Sequence, residues 1–128
     1  MISTNISGVY FVNLTPHAIV VNTAKSPVAI PPSGELARVK QEFVNVGDDG
    51  DFIKTVTSEF GEVEGLPAPQ KDTVFIVSSI VASATNRTDI AIPNTADCVR
   101  DEQGRIQSVR SLIVRKDIFA ETREYRIL

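Results

Sequence analysis

Residues 73–84 read Thr-Val-Phe-Ile-Val-Ser-Ser-Ile-Val-Ala-Ser-Ala, and this stretch decides the fold. Thr73–Val77 is β-branched and aromatic throughout, which predicts a strand, the most apolar of the chain and the one expected in the core. At Ser78 the character changes. A serine at 78 or 79 suits a helix N-cap, and Ile80, Val81 and Ala84 fall at helical spacing, so one short helix is expected near 78–85. Asn86-Arg87-Thr88-Asp89 would end it.

Upstream, Val9–Asn13 and Ala18–Asn22 are expected strands separated by Leu14-Thr15-Pro16-His17, where Pro16 supplies no ladder donor and forces a turn or bulge. Val28–Ile30 is a brief strand stopped by Pro31-Pro32-Ser33-Gly34, in which two prolines fix φ and Gly34 accepts φ > 0. Glu35–Val46 predicts a long strand with a bulge near Lys40–Glu42. Gly47–Asp51 reads as a hairpin connector, Phe52–Ser58 as the return strand and Phe60–Gly65 as its extension. Leu66-Pro67-Ala68-Pro69-Gln70 is a loop.

Downstream, Ile90–Pro93 is short and extended, and Cys98–Arg100 turns back through Asp101-Glu102-Gln103-Gly104 into Arg105–Val114. Lys116–Leu128 fits either a helix or a strand. The sum is a single β-rich domain over 1–128, mainly β in an α+β arrangement, with an antiparallel sheet closing towards a sandwich or small barrel.

The 128 residues suit one domain, and 42% apolar with 23% charged residues is a globular composition. Met1–Ala24 carries no charge, but its scattered polar residues predict neither a membrane span nor a secretory signal, leaving the cytoplasm as the default location. With one cysteine, Cys98, and one histidine, His17, neither an internal disulfide nor a four-ligand zinc site can form. No phosphate-cradling glycine loop is present. Neither a cofactor nor a metal is expected.

The net charge of −3 argues against a duplex nucleic-acid partner, which usually meets a basic face. It is compatible with a small anion, because residues 100–128 hold seven basic against five acidic groups. Asp48, Asp49 and Asp51 around Gly50 lack the spacing of a calcium loop and fit a solvated hairpin tip. Glu62 and Glu64 fall on one face of a strand, an arrangement that could serve acid–base chemistry but matches an exposed strand face better. His17 has no acidic neighbour in sequence and is expected to be structural.

The richest candidate is Ser78-Ser79 followed by Asn86–Asp89. Arg87 can fork onto a phosphate, while Asn86, Thr88 and Asp89 can bond ribose hydroxyls or a base edge. Phe75 offers either a stacking face or a core side chain. Arg38 and Arg105 stand beside loops as further guanidinium donors.

The order of blocks carries a resemblance. Val-Asn-Leu-Thr-Pro-His-Ala-Ile (12–19), Pro-Pro-Ser-Gly-Glu-Leu-Ala-Arg (31–38), Phe-Gly-Glu-Val-Glu-Gly-Leu-Pro-Ala-Pro (60–69), Phe-Ile-Val-Ser-Ser-Ile-Val-Ala-Ser-Ala (75–84) and Val-Arg-Asp-Glu-Gln-Gly-Arg-Ile (99–106) resemble a family of small phage and prophage proteins. That family is similar to the Thoeris anti-defence proteins, which sequester cyclic ADP-ribose isomers made by host TIR enzymes. The resemblance implies a non-enzymatic sponge for a small nucleotide-derived signal, acting as a homo-oligomer in the host cytoplasm. Two other readings stand beside it: a phage virion or accessory structural protein without a pocket, and a small nucleotide-signal hydrolase using Glu62, Glu64 or His17.

Overall fold

The computed structural model describes residues 1–22, 26–49 and 53–114, and the side chains of these outside 41–60. Along the chain run β1 (Thr4–Ile6), β2 (Val9–Asn13), β3 (Ile19–Asn22), β4 (Pro27–Ile30), β5 (Arg38–Asp49), β6 (Ile53–Glu64), β7 (Thr73–Ile76), α1 (Ser79–Ser83), β8 (Ile90–Pro93), β9 (Cys98–Arg100), β10 (Ile106–Val109) and β11 (Leu112–Val114). The protein is mainly β with one short helix. The helix sits where the sequence places it: Ser78 is its cap, and the Ser78 hydroxyl accepts from the Val81 amide at 3.4 Å.

The strands build a five-stranded sheet in the order β1-β2-β7-β8-β11, a four-stranded sheet in the order β4-β3-β10-β9, and a separate ribbon of β5 and β6. Of the expected antiparallel sheet closing towards a sandwich or small barrel, two points are corrected, the barrel closure and the purely antiparallel pairing. The sheets stay open, and both larger ones are mixed: β2 runs parallel to β7, β7 to β8, and β10 to β3. Parallel neighbours need a crossover of about a dozen residues. Residues 77–89, carrying α1, supply one between β7 and β8.

Period-two alternation then sorts the core. Val9, Phe11, Val74, Ile76 and Ala91 of the first sheet share a buried cluster with Ile19, Val21, Ile30 and Val109 of the second. The neighbours on the opposite face, Val12, Leu14, Phe75, Val77 and Ile90, pack with Val81 of α1 and with the partly buried Val39 and Val63 at the root of the ribbon. β7 is therefore covered on both faces, which is why its sequence is apolar without alternation.

Three local readings change. Thr4–Ile6 is a strand, turned back onto β2 at Ser7 and Gly8, whose successive φ values of 53° and 86° match a two-residue hairpin of the mirror-image type. The expected connector Gly47–Asp51 is partly ladder, since Gly47 pairs Thr55, Asp48 pairs Lys54 and Asp49 pairs Ile53; Gly50, Asp51 and Phe52 lie outside the described residues. The run Arg105–Val114 is two strands in different sheets. Its break at Arg110-Ser111 lets Val109 and Leu112, three residues apart, both be buried, which an unbroken two-residue period forbids. The anticipated bulge is present as a register shift between Val39 and Gln41. Lys116–Leu128, open between helix and strand in sequence, lies outside the described residues. No helix among the described residues is long and apolar enough to cross a membrane.

Candidate ligand-binding cleft

The chain leaving β2 is shaped by one side chain. Asn13 is fully buried. Its Nδ2 donates to the carbonyls of His17 at 2.8 Å and Ile30 at 3.1 Å. Its Oδ1 accepts from the Thr15 amide at 3.0 Å and the Thr15 hydroxyl at 2.6 Å. This is the local bonding by which an Asn side chain closes a turn. Pro16 interrupts the ladder, and Asn13 supplies the bonds the ladder loses. The Leu14 amide continues the pairing by donating to the Ile76 carbonyl at 2.9 Å.

The parallel strands β2, β7 and β8 end side by side, and a cleft of about 480 Å³ opens beyond their carboxyl ends. Thr15 comes from the first exit, Val77, Ser78 and Ser79 from the second, and Ile92, Pro93 and Thr95 from the third. The facing wall is the second sheet: Ile19 and Val20 of β3, and Ile106–Val109 of β10, with His17 and Ala18 completing the rim. Aliphatic walls with a few hydroxyls, one carboxamide and one imidazole are the composition of a small-molecule site, and the volume lies within the range of such sites, about 300–1,000 Å³. Carboxyl ends of parallel strands are where open sheets with crossover helices usually bind ligands. A smaller hollow of about 260 Å³ between α1, β8 and β11 is lined by aliphatic residues and two serines.

None of the seven side chains picked from sequence lines this cleft. Three of them meet elsewhere. Arg87 donates from Nε and Nη2 to Asp89 at 3.0 and 2.6 Å, a fork onto one carboxylate, and from Nη1 to the Pro67 carbonyl. Its guanidinium lies 5.5 Å above the centre of the Phe75 ring, within reach of a cation–π contact. Phe75 is fully buried, so its ring belongs to the core. The arrangement is a clamp that fastens the loop after α1 to the Leu66–Gln70 loop, just beyond the ribbon. Asn86 and Thr88 flank it, exposed and half-buried. Arg38 starts β5 opposite Glu64 and is exposed. Arg105 is exposed in the β9–β10 turn, where its amide donates to the Asp101 carboxylate at 2.9 Å. The three arginines thus stand on separate elements.

Sequence reasoning missed Gln107, Ser108, Thr95 and the aliphatic walls as site residues. The signal that finds them is topological: the exits of β2, β7 and β8 become neighbours only once those strands are known to be parallel. Of the acid–base candidates, His17 stands on the cleft rim, whereas Glu62 and Glu64 are exposed on β6. No group of three His, Cys, Asp or Glu able to hold a metal ion occurs among the described residues. No family model, no curated protein and no solved structure matches the chain.

Proposed function

We propose that this protein is a non-catalytic binding protein, which captures a small nucleotide-derived molecule in the cleft beyond β2, β7 and β8 and releases it unchanged. One observation carries the reading: a 480 Å³ cleft with aliphatic walls and a hydroxyl and carboxamide rim, fixed on both sides by sheet. Rigid walls reduce the ordering cost of binding. The class of molecule comes from the sequence blocks similar to the Thoeris anti-defence family, and with it comes the proposal that the protein works as a homo-oligomer. Capture needs no turnover residue, and His17 lies on the cleft whereas Glu62 and Glu64 stand together on β6, away from it.

The test is retention and recovery. Purified protein mixed with cyclic ADP-ribose isomers is passed through a filter, and the retained material is heated. Depletion of the filtrate and return of intact molecule support capture. Free ligand in the filtrate overturns it, and recovery of a hydrolysed product makes the protein an enzyme.

The ribbon favours a second reading. β5 and β6 pair with each other over twelve residues apiece and belong to neither large sheet. A long ribbon apart from the main sheets suits an assembly arm, as a phage virion or accessory protein requires. Finding the protein in purified particles would support that role.

A further inference from the structure

We infer that the cleft takes the uncharged ring portion of its ligand, reads one edge of that ring through Gln107, and leaves any phosphate outside. The inference rests on the proposed capture function and narrows it.

The lining decides the charge. Among the described residues His17 is the only ionisable side chain on the cleft, and the walls are Ile19, Val20, Val77, Ile92 and Val109. An anion held against those aliphatic surfaces would give up its hydration without receiving a guanidinium or an ammonium in return, which is strongly unfavourable. The arginine best placed in sequence to offer that charge, Arg87, forks onto Asp89 instead. A flat uncharged ring gives up little hydration on entering a cleft with these aliphatic walls.

Gln107 provides the polar reading. It stands on β10, exposed and on the cleft, and its carboxamide makes no hydrogen bond among the described residues. A carboxamide presents a donor and an acceptor side by side, the complement of a ring edge carrying one acceptor and one amino group, as adenine does. The hydroxyls of Thr95 and Ser108 are further lining groups of the same cleft for a ribose.

The experiment is calorimetric titration of the whole protein with adenosine, with ADP and with a cyclic ADP-ribose isomer, each at low and high salt. The same series is run on Gln107→Leu, an exposed substitution that leaves the core intact, and on Ala18→Trp, which fills the rim. Adenosine is expected to bind within about threefold of the phosphorylated ligands and with little salt dependence, since no ion pair is made. Gln107→Leu is expected to weaken all three about tenfold, the loss of roughly one hydrogen-bonded edge, and Ala18→Trp to abolish binding. Phosphorylated ligands that bind at least tenfold tighter than adenosine, with steep salt dependence, would overturn this inference while leaving capture standing. Failure of all three ligands to bind, or binding indifferent to Ala18→Trp, would overturn the cleft as the capture site as well.

Discussion

Replacing Asn13 by alanine tests the scaffold of the cleft at a single atom group. The side chain makes four hydrogen bonds, two donated to the His17 and Ile30 carbonyls and two accepted from Thr15. Each is worth about 0.5–1.5 kcal/mol net when both partners otherwise regain water. Thr15 is half-buried and His17 exposed, so their groups regain part of that water, whereas Ile30 is fully buried and its carbonyl gains no replacement. The expected loss is about 2–3 kcal/mol, or roughly 6–12 °C in Tm for a chain of this size. Urea unfolding should show a lower midpoint with an unchanged slope, because the surface exposed on unfolding is the same. Ligand retention should fall further than stability, since Thr15 and His17 are rim residues released from their anchor. The aspartate variant adds a sign. Its carboxylate would face the same two carbonyl oxygens, which favours the protonated form and raises the folded pKa above the unfolded value of about 3.9. Stability is then retained below the unfolded pKa and lost as pH rises through the folded one. Asn13→Asp should therefore approach wild type near pH 4 and fall away towards pH 7. An Asn13→Ala protein within about 0.5 kcal/mol of wild type, with retention intact, would show that the turn is held by something other than this amide.

Other substitutions probe the rest of the frame. Arg87→Lys keeps the charge but loses the fork, and should cost about 1 kcal/mol; an Arg87→Met, Asp89→Asn double-mutant cycle should give a coupling of about 1 kcal/mol, reduced from a fully buried pair because both side chains retain some exposure. Gly65→Ala should cost about 2–4 kcal/mol by thermal unfolding, because φ is +81° and an added Cβ would lie inside van der Waals contact of the Leu36 carbonyl oxygen. Gly34→Ala, at φ +94° with open space around it, should cost only about 1 kcal/mol, so equal losses at the two sites would refute the steric part of the argument. Phe75→Ala should cost about 3–5 kcal/mol, as expected where the ring fills a core; a loss under 1 kcal/mol would return it to the list of ligand contacts.

Most strands were legible because they carry their own β-branched run and are closed by Pro, Gly or a polar cluster; the three-residue β1, Thr-Asn-Ile, has no such run and was not. Ser78 at the junction announced the helix for the same local reason. Strand direction was not legible. Whether β2, β7 and β8 run together or alternate depends on what the intervening chain does in space, and only the 77–89 crossover, with its helix, hints at it. The split of Arg105–Val114 had a faint signal, two apolar residues three apart, that resembles noise in a ten-residue run. The loss at the site follows from the loss of direction. Arg87 and Asp89 were recognised as the right chemistry, but two residues of opposite charge at spacing two satisfy each other before any ligand can use them. Sequence spacing does not distinguish a fork aimed at phosphate from a fork already closed on its neighbour.

That distinction bears on how the cleft can bind at all. A guanidinium that recognises phosphate must turn its forked pair of donors towards the ligand. Arg87 has its carboxylate and the Pro67 carbonyl as partners, with the Phe75 ring beneath, so its charge secures a loop. The cleft, in turn, is bounded by the ends of three parallel strands and by a second sheet, surfaces made for burying apolar faces. Several of its polar groups come from strand termination, a threonine after β2, the serines at the start of α1 and a threonine after β8, and Gln107 and Ser108 of β10 add to them from the facing sheet. A site assembled from such parts gains affinity from shape and from a few directed hydrogen bonds, and little from charge. Retention of ligand that survives high salt is therefore the outcome expected if the proposed capture uses this cleft, and retention that collapses with salt would show that charged groups beyond its described lining take part.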